Sequence, residues 1–317
     1  MQVLQGARAA EEIPPATVVT IGMFDGVHCG HQALIRRAQE LAAERGIEPL
    51  ALTFDRHADE VLRPETARPY LTTLPEKVAL IRSLGVALVV VARVTPAFLG
   101  IRARDFVARY LHAQLHAHAV VVGPDFRFGR GRQGDVHLLK SIRREFGYEV
   151  AVLDRVVANG DAVSSTLIRR VLTAGEVERA AALLGRPYRL SGEVQQGEEI
   201  GRVLGFPTAN VSCPPRKILP ALGVYVCRAH MGDDSHGAVV NVGRRPTFDG
   251  ARITVEAHLL GFCGDLYGRT LTLEFLERLR PEMKFDSPDA LRAQIARDVE
   301  RTREAFAIRE RQEPPGE

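Results

Sequence analysis

Apolar positions along this chain fall into two regimes, and the change between them divides it. From Val18 to about Leu184, short β-branched runs alternate with amphipathic stretches. Thr17 to Ile21, Leu50 to Phe54, Ala87 to Val91, Ala119 to Val122 and Glu149 to Leu153 read as five buried strands. Between them lie helical stretches. Gln32 to Glu44 is rich in Ala, Leu, Glu and Arg. Pro75 to Leu84 sets Val78, Ile81 and Leu84 on one face and stops at Gly85. Arg104 to Leu115 carries Phe106, Tyr110 and Leu111 at core spacing, and Val136 to Phe146 follows. Strict alternation predicts an α/β fold: a doubly wound parallel sheet with helices on both faces. Ligands of such sheets bind beyond the carboxyl ends of the strands, so the turns after Ile21, Phe54 and Val122 share one rim.

The second regime begins near Gly185-Arg186-Pro187, after a helix-like Gly175 to Leu184. Short alternating strands punctuated by glycine and proline follow: Tyr188 to Gln195, Gly223 to His230, Gly237 to Val242, Ile253 to Leu260 and Thr270 to Leu279. They predict an antiparallel β-barrel, closed by a helix from Pro288 to Phe306 with Leu291, Ile295 and Val299 on one face. The expected domains are residues 1–185 and 186–317, and a chain of 317 residues suits two. The polar tail Gln312 to Glu317, with two prolines, is expected to be disordered.

Composition narrows the function classes. Apolar residues make up 45% and charged residues 26%, a globular profile, and the net charge of +3 is too small to argue for nucleic acid or a membrane surface. No apolar run is long enough for a membrane span, and the amino terminus has no basic segment followed by an apolar core. The cytoplasm is the expected location. Cys29, Cys213, Cys227 and Cys263 are far apart and show no paired metal spacing.

Chemistry concentrates on the predicted rim. After the first strand comes Gly22-Met23-Phe24-Asp25-Gly26-Val27-His28-Cys29-Gly30-His31. The glycines let backbone approach a ligand, a helix N-terminus suits a phosphate, and His28 and His31 can reach the same anion. Gly123-Pro124-Asp125-Phe126-Arg127-Phe128-Gly129 follows the fourth strand, with two aromatics flanking an arginine. Such a loop can stack a ring and meet a phosphate, or simply anchor itself to the core. Ser164-Ser165-Thr166-Leu167-Ile168-Arg169 opens a helix with hydroxyls that cap free N–H groups and suit phosphate oxygens, and Arg169 lies a turn further on.

The barrel carries its own candidates. Gly201-Arg202-Val203-Leu204-Gly205-Phe206-Pro207-Thr208-Ala209-Asn210 groups glycines, an arginine, a hydroxyl and an amide. Thr208 and Asn210, two apart, face the same way on an extended chain and offer hard oxygen ligands for Mg²⁺ on nucleotide phosphates. Within Ile253 to Leu259, Thr254, Glu256 and His258 point one way along a strand. A carboxylate there can take a proton from a hydroxyl nucleophile.

These strings resemble those of one family. His28-x-Gly30-His31 looks like the "HIGH"-type signature of nucleotidyltransferases, and Gly-x-Phe-Asp-Gly-Val-His resembles the amino-terminal module of bacterial bifunctional riboflavin kinase/FAD synthetases. The Gly123–Gly129 loop and Ser164-Ser165-x-x-Ile168-Arg169 resemble later motifs of that module. Gly201 to Asn210 resembles the riboflavin kinase signature. Glu256 stands at the place of the catalytic glutamate, ahead of Gly264-Asp265-Leu266-Tyr267-Gly268. Asn241 to Phe248 and Leu279-Arg280-Pro281-Glu282-Met283-Lys284-Phe285 also fit. Two departures stand out: Phe54-Asp55-Arg56-His57-Ala58 has lost both prolines of the family's loop, which would leave it freer, and Gly261 replaces a common aspartate.

The resemblance implies a six-stranded barrel that phosphorylates riboflavin with ATP, Glu256 acting as base and Thr208 and Asn210 holding Mg²⁺. Gly201 and Arg202 would lie on ATP, and Asn241, Arg280 and Phe285 on the flavin. It implies an α/β half that adenylylates FMN. There His28 and His31 would act at the α-phosphate and Ser164, Ser165, Thr166 and Arg169 on the other phosphates, with Gly22, Phe24 and Asp25 on the same nucleotide. Asp125, Phe126, Arg127 and Phe128 would bind FMN or the adenine ring, and which is left open. Riboflavin, FMN and ATP are the implied partners, without nucleic acid or membrane, and a homo-oligomer is left open. Two rivals remain: a kinase whose α/β half only binds nucleotide, and a flavin-binding regulator without turnover.

Overall fold

A computed structural model describes residues 2–4, 13–197, 201, 204–247 and 250–312; Arg202 and the tail beyond Gln312 lie outside these. The chain forms two compact units, Met1–Ser165 and Thr166–Glu317.

In the first unit β1 (Gln2–Leu4), β2 (Thr17–Ile21), β3 (Glu48–Phe54), β4 (Leu88–Ala92), β5 (Ala117–Val122) and β6 (Glu149–Val152) make one sheet in the order β1-β4-β3-β2-β5-β6. Every pairing is parallel. β1 adds to the five strands read from the sequence, being too short to show a pattern. Helices α1 (Cys29–Arg45), α2 (Ala58–Leu62), α3 (Leu74–Ser83), α4 (Pro96–Leu99), α5 (Ala103–Phe106) and α6 (Val136–Phe146) fill the connections.

The continuous apolar runs follow from burial on both faces. Val19, Ile21, Leu50, Leu52, Val120 and Val122 pack with Phe106, Leu111, Leu139 and Ile142. Their neighbours Val18, Ala51, Ala119 and Val121 belong to the clusters that hold Ile35, Ala38 and Leu41 of α1 and Val78 and Ile81 of α3. The stretch read as a single helix from Arg104 is broken in kind. α5 runs on as a π-helical turn, Val107–His112, and Leu115 N donates to Tyr110 O at 2.8 Å across five residues. From β2 the chain builds outward to β3 and β4, then returns to place β5 on the other side of β2. The crevice of the doubly wound fold therefore opens where the connections leaving the paired strands β2 and β5 part, at the turns that begin with Gly22 and Gly123.

After the small hairpin of β7 (Val157–Ala158) and β8 (Asp161–Ala162), the second unit begins with α7 (Ser165–Ala174) and α8 (Val177–Leu184). The division falls ahead of Gly185 because these helices are bonded to the barrel. Ala221 N donates to Leu172 O at 3.0 Å, Arg278 Nη1 donates to Ala174 O at 3.2 Å, and α8 packs on two barrel strands.

The barrel is closed and antiparallel: β9 (Tyr188–Gln195), β10 (Ala209–Val211), β11 (Gly223–Met231), β12 (Asp234–Thr247), β13 (Gly250–Leu259) and β14 (Thr270–Pro281), in the order β10-β13-β12-β11-β14-β9. The sixth strand, β10, is three residues long and hidden inside the Gly/Pro-rich signature. Val240, Val242, Val255 and Ala257 are fully or almost fully buried and fill the inside with Tyr225 and Phe275. On the outside, Val224, Val226 and Val239 are covered by α9 (Pro288–Gln312) through Ile295, Val299 and Phe306.

Candidate functional site

The turn after β2 is held in a strained path. Phe24, Gly26 and Val27 have φ of 48°, 83° and 40°, a region that a phenylalanine and a β-branched residue enter only under constraint. The constraints are visible. Asp25 is 1% exposed, and its Oδ1 accepts from the N–H groups of Leu71 and Thr72 at 3.0 and 3.1 Å. Gly26 N donates to Thr72 Oγ1 at 3.0 Å, Gln32 Nε2 to Val27 O at 2.9 Å, and Ser165 Oγ to Asp25 O at 3.0 Å. The last bond ties Ser165, the final residue of this unit, to the histidine turn.

This path delivers two imidazoles to the N-terminus of α1. His28 is the cap, its Nδ1 accepting from His31 N at 3.3 Å, so in the neutral ring its proton sits on Nε2. The His28 and His31 rings stack at 3.6 Å between centroids, and the edge of Phe24 meets His31 at 5.2 Å. Two glycines are closely packed: a Cβ at Gly22 would reach the Phe24 ring at 3.1 Å, and one at Gly30 the His28 ring at 3.2 Å, so either ring would have to shift by a few tenths of an ångström. Phe24 and Asp25, expected on the nucleotide, have buried side chains that hold the turn.

The loop after β3 is tied despite its missing prolines. Asp55 Oδ1 accepts from Val94 N at 2.8 Å, and His57 stacks on Tyr70, whose hydroxyl accepts from His57 N at 3.0 Å. His57 Nε2 lies 3.8 Å from Asp25 Oδ2. In the loop after β5, Phe128 is 7% exposed and packed on Phe106, so this ring anchors the loop, while Phe126 stacks on it and stays partly exposed. Arg127 pairs with Asp135 at 2.9 Å, and Asp125 accepts two hydrogen bonds from Arg155. Ser164 and Thr166 are exposed at the start of α7, and Arg169 lies a turn along it.

Sequence reasoning missed Lys77. It is 3% exposed, its Nζ donates to Met23 O at 3.0 Å and Phe54 O at 2.7 Å, and burial pushes its pKa down to about 8 against the pull of Asp25, Asp55 and Glu60. The signal was its place: Leu74, Lys77, Val78 and Ile81 share one helical face.

In the barrel, Asn210, Glu256 and Asn241 stand directly opposite one another across β10, β13 and β12. In-register antiparallel neighbours project to the same face, here the outer wall. A cavity of about 340 Å³ opens there, lined by Gly201, Thr208, Asn241, Glu256, Arg280 and Phe285 together with Phe206, Val239, Met283 and Ile295. Thr254 Oγ1 donates to Glu256 Oε1 at 3.5 Å, and His258 Nδ1 lies 2.8 Å from Pro207 O, fastening the signature loop to β13. Arg280, which lines this cavity, forks onto Asp298 of α9 with contacts of 2.8 to 3.2 Å, and its guanidinium lies 5.8 Å from the centre of the Phe285 ring. A second cavity of about 440 Å³ is lined by Pro207, Thr208 and Ala209 and by Gly264 to Tyr267. Thr208 lines both cavities. The Thr208 hydroxyl and Asn210 amide are hard oxygen donors that fit a magnesium ion carried in on phosphates. Among the described residues no group of three or more His, Cys, Asp or Glu side chains could hold a metal unaided.

A histidine turn at a sheet's switch point, joined in one chain to a barrel with a carboxylate beside a cavity, defines a two-part phosphate-handling transferase. Residues 10–167 match the FAD synthetase family and residues 184–306 the riboflavin kinase family. The chain is 37% identical over 310 residues to the bifunctional riboflavin kinase/FMN adenylyltransferase of Escherichia coli strain K12, covering 97% of this chain and 99% of that one. It is 38% identical to the protein of the same name from Pseudomonas fluorescens, covering 94% and 96%. A crystal structure described as a macrolide-efflux protein from Streptococcus pneumoniae superposes with a TM-score of 0.86 at 32% identity, covering 94% of this chain and 97% of that one. The chain belongs to the bifunctional riboflavin kinase/FMN adenylyltransferase family. Among the described residues no helix is long and apolar enough to cross a membrane.

Proposed function

We propose that the chain performs two successive ATP-dependent reactions, riboflavin to FMN in the barrel and FMN to FAD in the α/β half. The observation that carries the first is Glu256, paired across the strands with Asn210 and Asn241 and lining with Asn241 a cavity that also holds Phe206, Val239 and Phe285. A flavin ring suits that cavity, with Asn241, Phe285 and Arg280 along it. ATP suits the neighbouring cavity, with Gly201 lining the flavin cavity beside it, so the transferred phosphoryl group passes by Thr208, which lines both. Glu256 takes the 5′-hydroxyl proton as that oxygen bonds to the γ-phosphorus and the bond to ADP breaks. Phosphoryl transfer depends mostly on position and charge, which so sparse a site can supply. Thr208 and Asn210 would hold Mg²⁺, which neutralises phosphate charge when bound.

In the α/β half, an FMN phosphate oxygen bonds to the α-phosphorus of a second ATP and pyrophosphate leaves. The nucleophile is already an anion and needs no base. His28 and His31 stabilise charge at the α-phosphate, and Ser164, Ser165, Thr166 and Arg169 hold the β- and γ-phosphates. The stacked histidines at a helix N-terminus support this reading. Gly22 lets the turn close over its own phenylalanine, and partly exposed Phe126 is the ring of its loop suited to stacking, with Asp125 and Arg127 beside it. We assign residues 1–185 to the adenylyltransferase and 186–317 to the kinase, and place both in the cytoplasm, where ATP is at hand.

The test is a time course. The protein is incubated with riboflavin, ATP and Mg²⁺ and the flavins are separated by chromatography. FMN rising and giving way to FAD is the expected result. FMN alone would leave only the kinase, and bound riboflavin without conversion would overturn both assignments.

A further inference from the structure

One more carbonyl, that of Met23, is held at the strained turn. Met23 O belongs to the peptide that leads into Phe24, whose φ is 48°. Rotating that peptide plane changes ψ of Met23 and φ of Phe24 together, and half a rotation would return Phe24 to the ordinary negative region. Two donors oppose this: Lys77 Nζ at 3.0 Å and Thr53 Oγ1 at 3.2 Å from Met23 O. Lys77 also donates to Phe54 O at 2.7 Å, so its ammonium bridges the ends of β2 and β3 just past their last ladder bond, Gly22 N to Leu52 O. Beyond the carbonyl the contacts are continuous. The Phe24 ring is fully buried with its edge on His31, and His31 is stacked on His28.

We propose that Lys77 is a positioning residue for adenylyl transfer, acting through the Met23 carbonyl and the Phe24 ring to fix the His31 imidazole against His28. The proposal rests on the reading of the histidine turn as the adenylyl-transfer site. A lysine suits the task because it can donate to two carbonyls at once, and Lys77 is buried with Val78 and Ile81 on α3. Burial costs the ammonium its hydration, and lowers its pKa to about 8, but an amine that has lost its extra proton still carries two hydrogens for two carbonyls. The arrangement therefore survives across the physiological pH range.

The test compares Lys77→Met, which keeps length and removes both donations, with Thr53→Val, which keeps shape and removes the second donor to Met23. FAD formation from supplied FMN is measured as kcat and as KM for ATP, with FMN formation from riboflavin as the internal control. Misplacing a charge-stabilising group by about 1 Å costs on the order of 100-fold in rate. We expect Lys77→Met to lower kcat for FAD formation by ~30- to 100-fold with KM for ATP within about threefold, and to leave FMN formation unchanged. The ring signals of ¹³C-labelled His31 should shift as the Phe24 ring withdraws. Wild-type kcat in Lys77→Met, or a raised KM with kcat intact, overturns the proposal. If Lys77→Met fails to fold, Thr53→Val decides: lowered kcat with displaced His31 signals supports the proposal, and wild-type values of both overturn it. A parallel variant with His28→Ala and His31→Ala separates the two ideas. If that variant stops at FMN while Lys77→Met does not, only the role of Lys77 falls. If it still makes FAD, the reading of the turn falls first.

Discussion

Lys77, Asp25 and Phe24 illustrate how a side chain can matter to a site without facing it. Asp25 and Phe24 sit within the motif that draws attention to the turn, yet their side chains are turned inward to hold a path that glycine alone would take easily. That inward role was not legible, because a motif marks which residues are constrained and not the direction they point. Lys77 was equally hidden, since a lysine is ordinarily assigned to the surface. Its burial carries a pH signature. Unfolded, it titrates at the ordinary 10.5; folded, it titrates at about 8. Between those values the unfolded chain binds a proton that the folded chain has shed, so this group adds stability as pH rises through that window and contributes a constant penalty below it. The gain is at most ~3 kcal/mol. Melting of wild type and Lys77→Met should therefore be compared from about pH 7 to about pH 10. The wild type is expected to gain on the variant above about pH 8, and parallel curves would refute the buried charge.

At the level of elements, five of the six strands of the sheet were legible to within about two residues, because burial on both faces leaves continuous apolar runs, and α6 was legible from its one apolar face. Elements whose formation depends on distant partners were not. β10 is three residues pinned between β9 and β13, and the π-helical turn after α5 closes five-residue bonds, such as Leu115 N to Tyr110 O, that apolar spacing does not announce. The terminal helix shows both sides. Its apolar face was readable, but its fastening was not: Asp298, 1% exposed, takes the Arg280 fork and the Gln294 amide. The helix and this pair form one wall of the cavity beside Glu256. Removing the carboxylate leaves a nearly buried guanidinium uncompensated, a loss on the order of 3–5 kcal/mol. Asp298→Ala should thus lower barrel stability in denaturant and raise KM for riboflavin several-fold, while FAD formation from supplied FMN stays at the wild-type rate. An unchanged KM for riboflavin would show that this wall does not border the flavin.

On the scale of the whole molecule, the chain couples two chemistries that need different surroundings. Attack by a neutral hydroxyl calls for a base, the role proposed for Glu256 among Asn210, Asn241 and Thr254; attack by a phosphate calls for charge stabilisation, the role proposed for the imidazoles at the N-terminus of α1. Each set of groups belongs to its own compact unit: Glu256 with Asn210 and Asn241 in one, His28 with His31 in the other. The product of the first reaction must release its new phosphate from the barrel before that phosphate can meet the histidines. If FMN leaves by diffusion, the two activities can be supplied by different molecules. Glu256→Ala is expected to lose FMN formation by at least ~100-fold and still convert supplied FMN to FAD. The variant with His28→Ala and His31→Ala should do the reverse and accumulate FMN. Mixed together with riboflavin and ATP, the two should make FAD after a lag that shortens as the concentration of the first variant rises. A mixture that stays at FMN, although each variant keeps its own activity, would mean that FMN does not pass between molecules. The order of reactions would then be enforced within one chain.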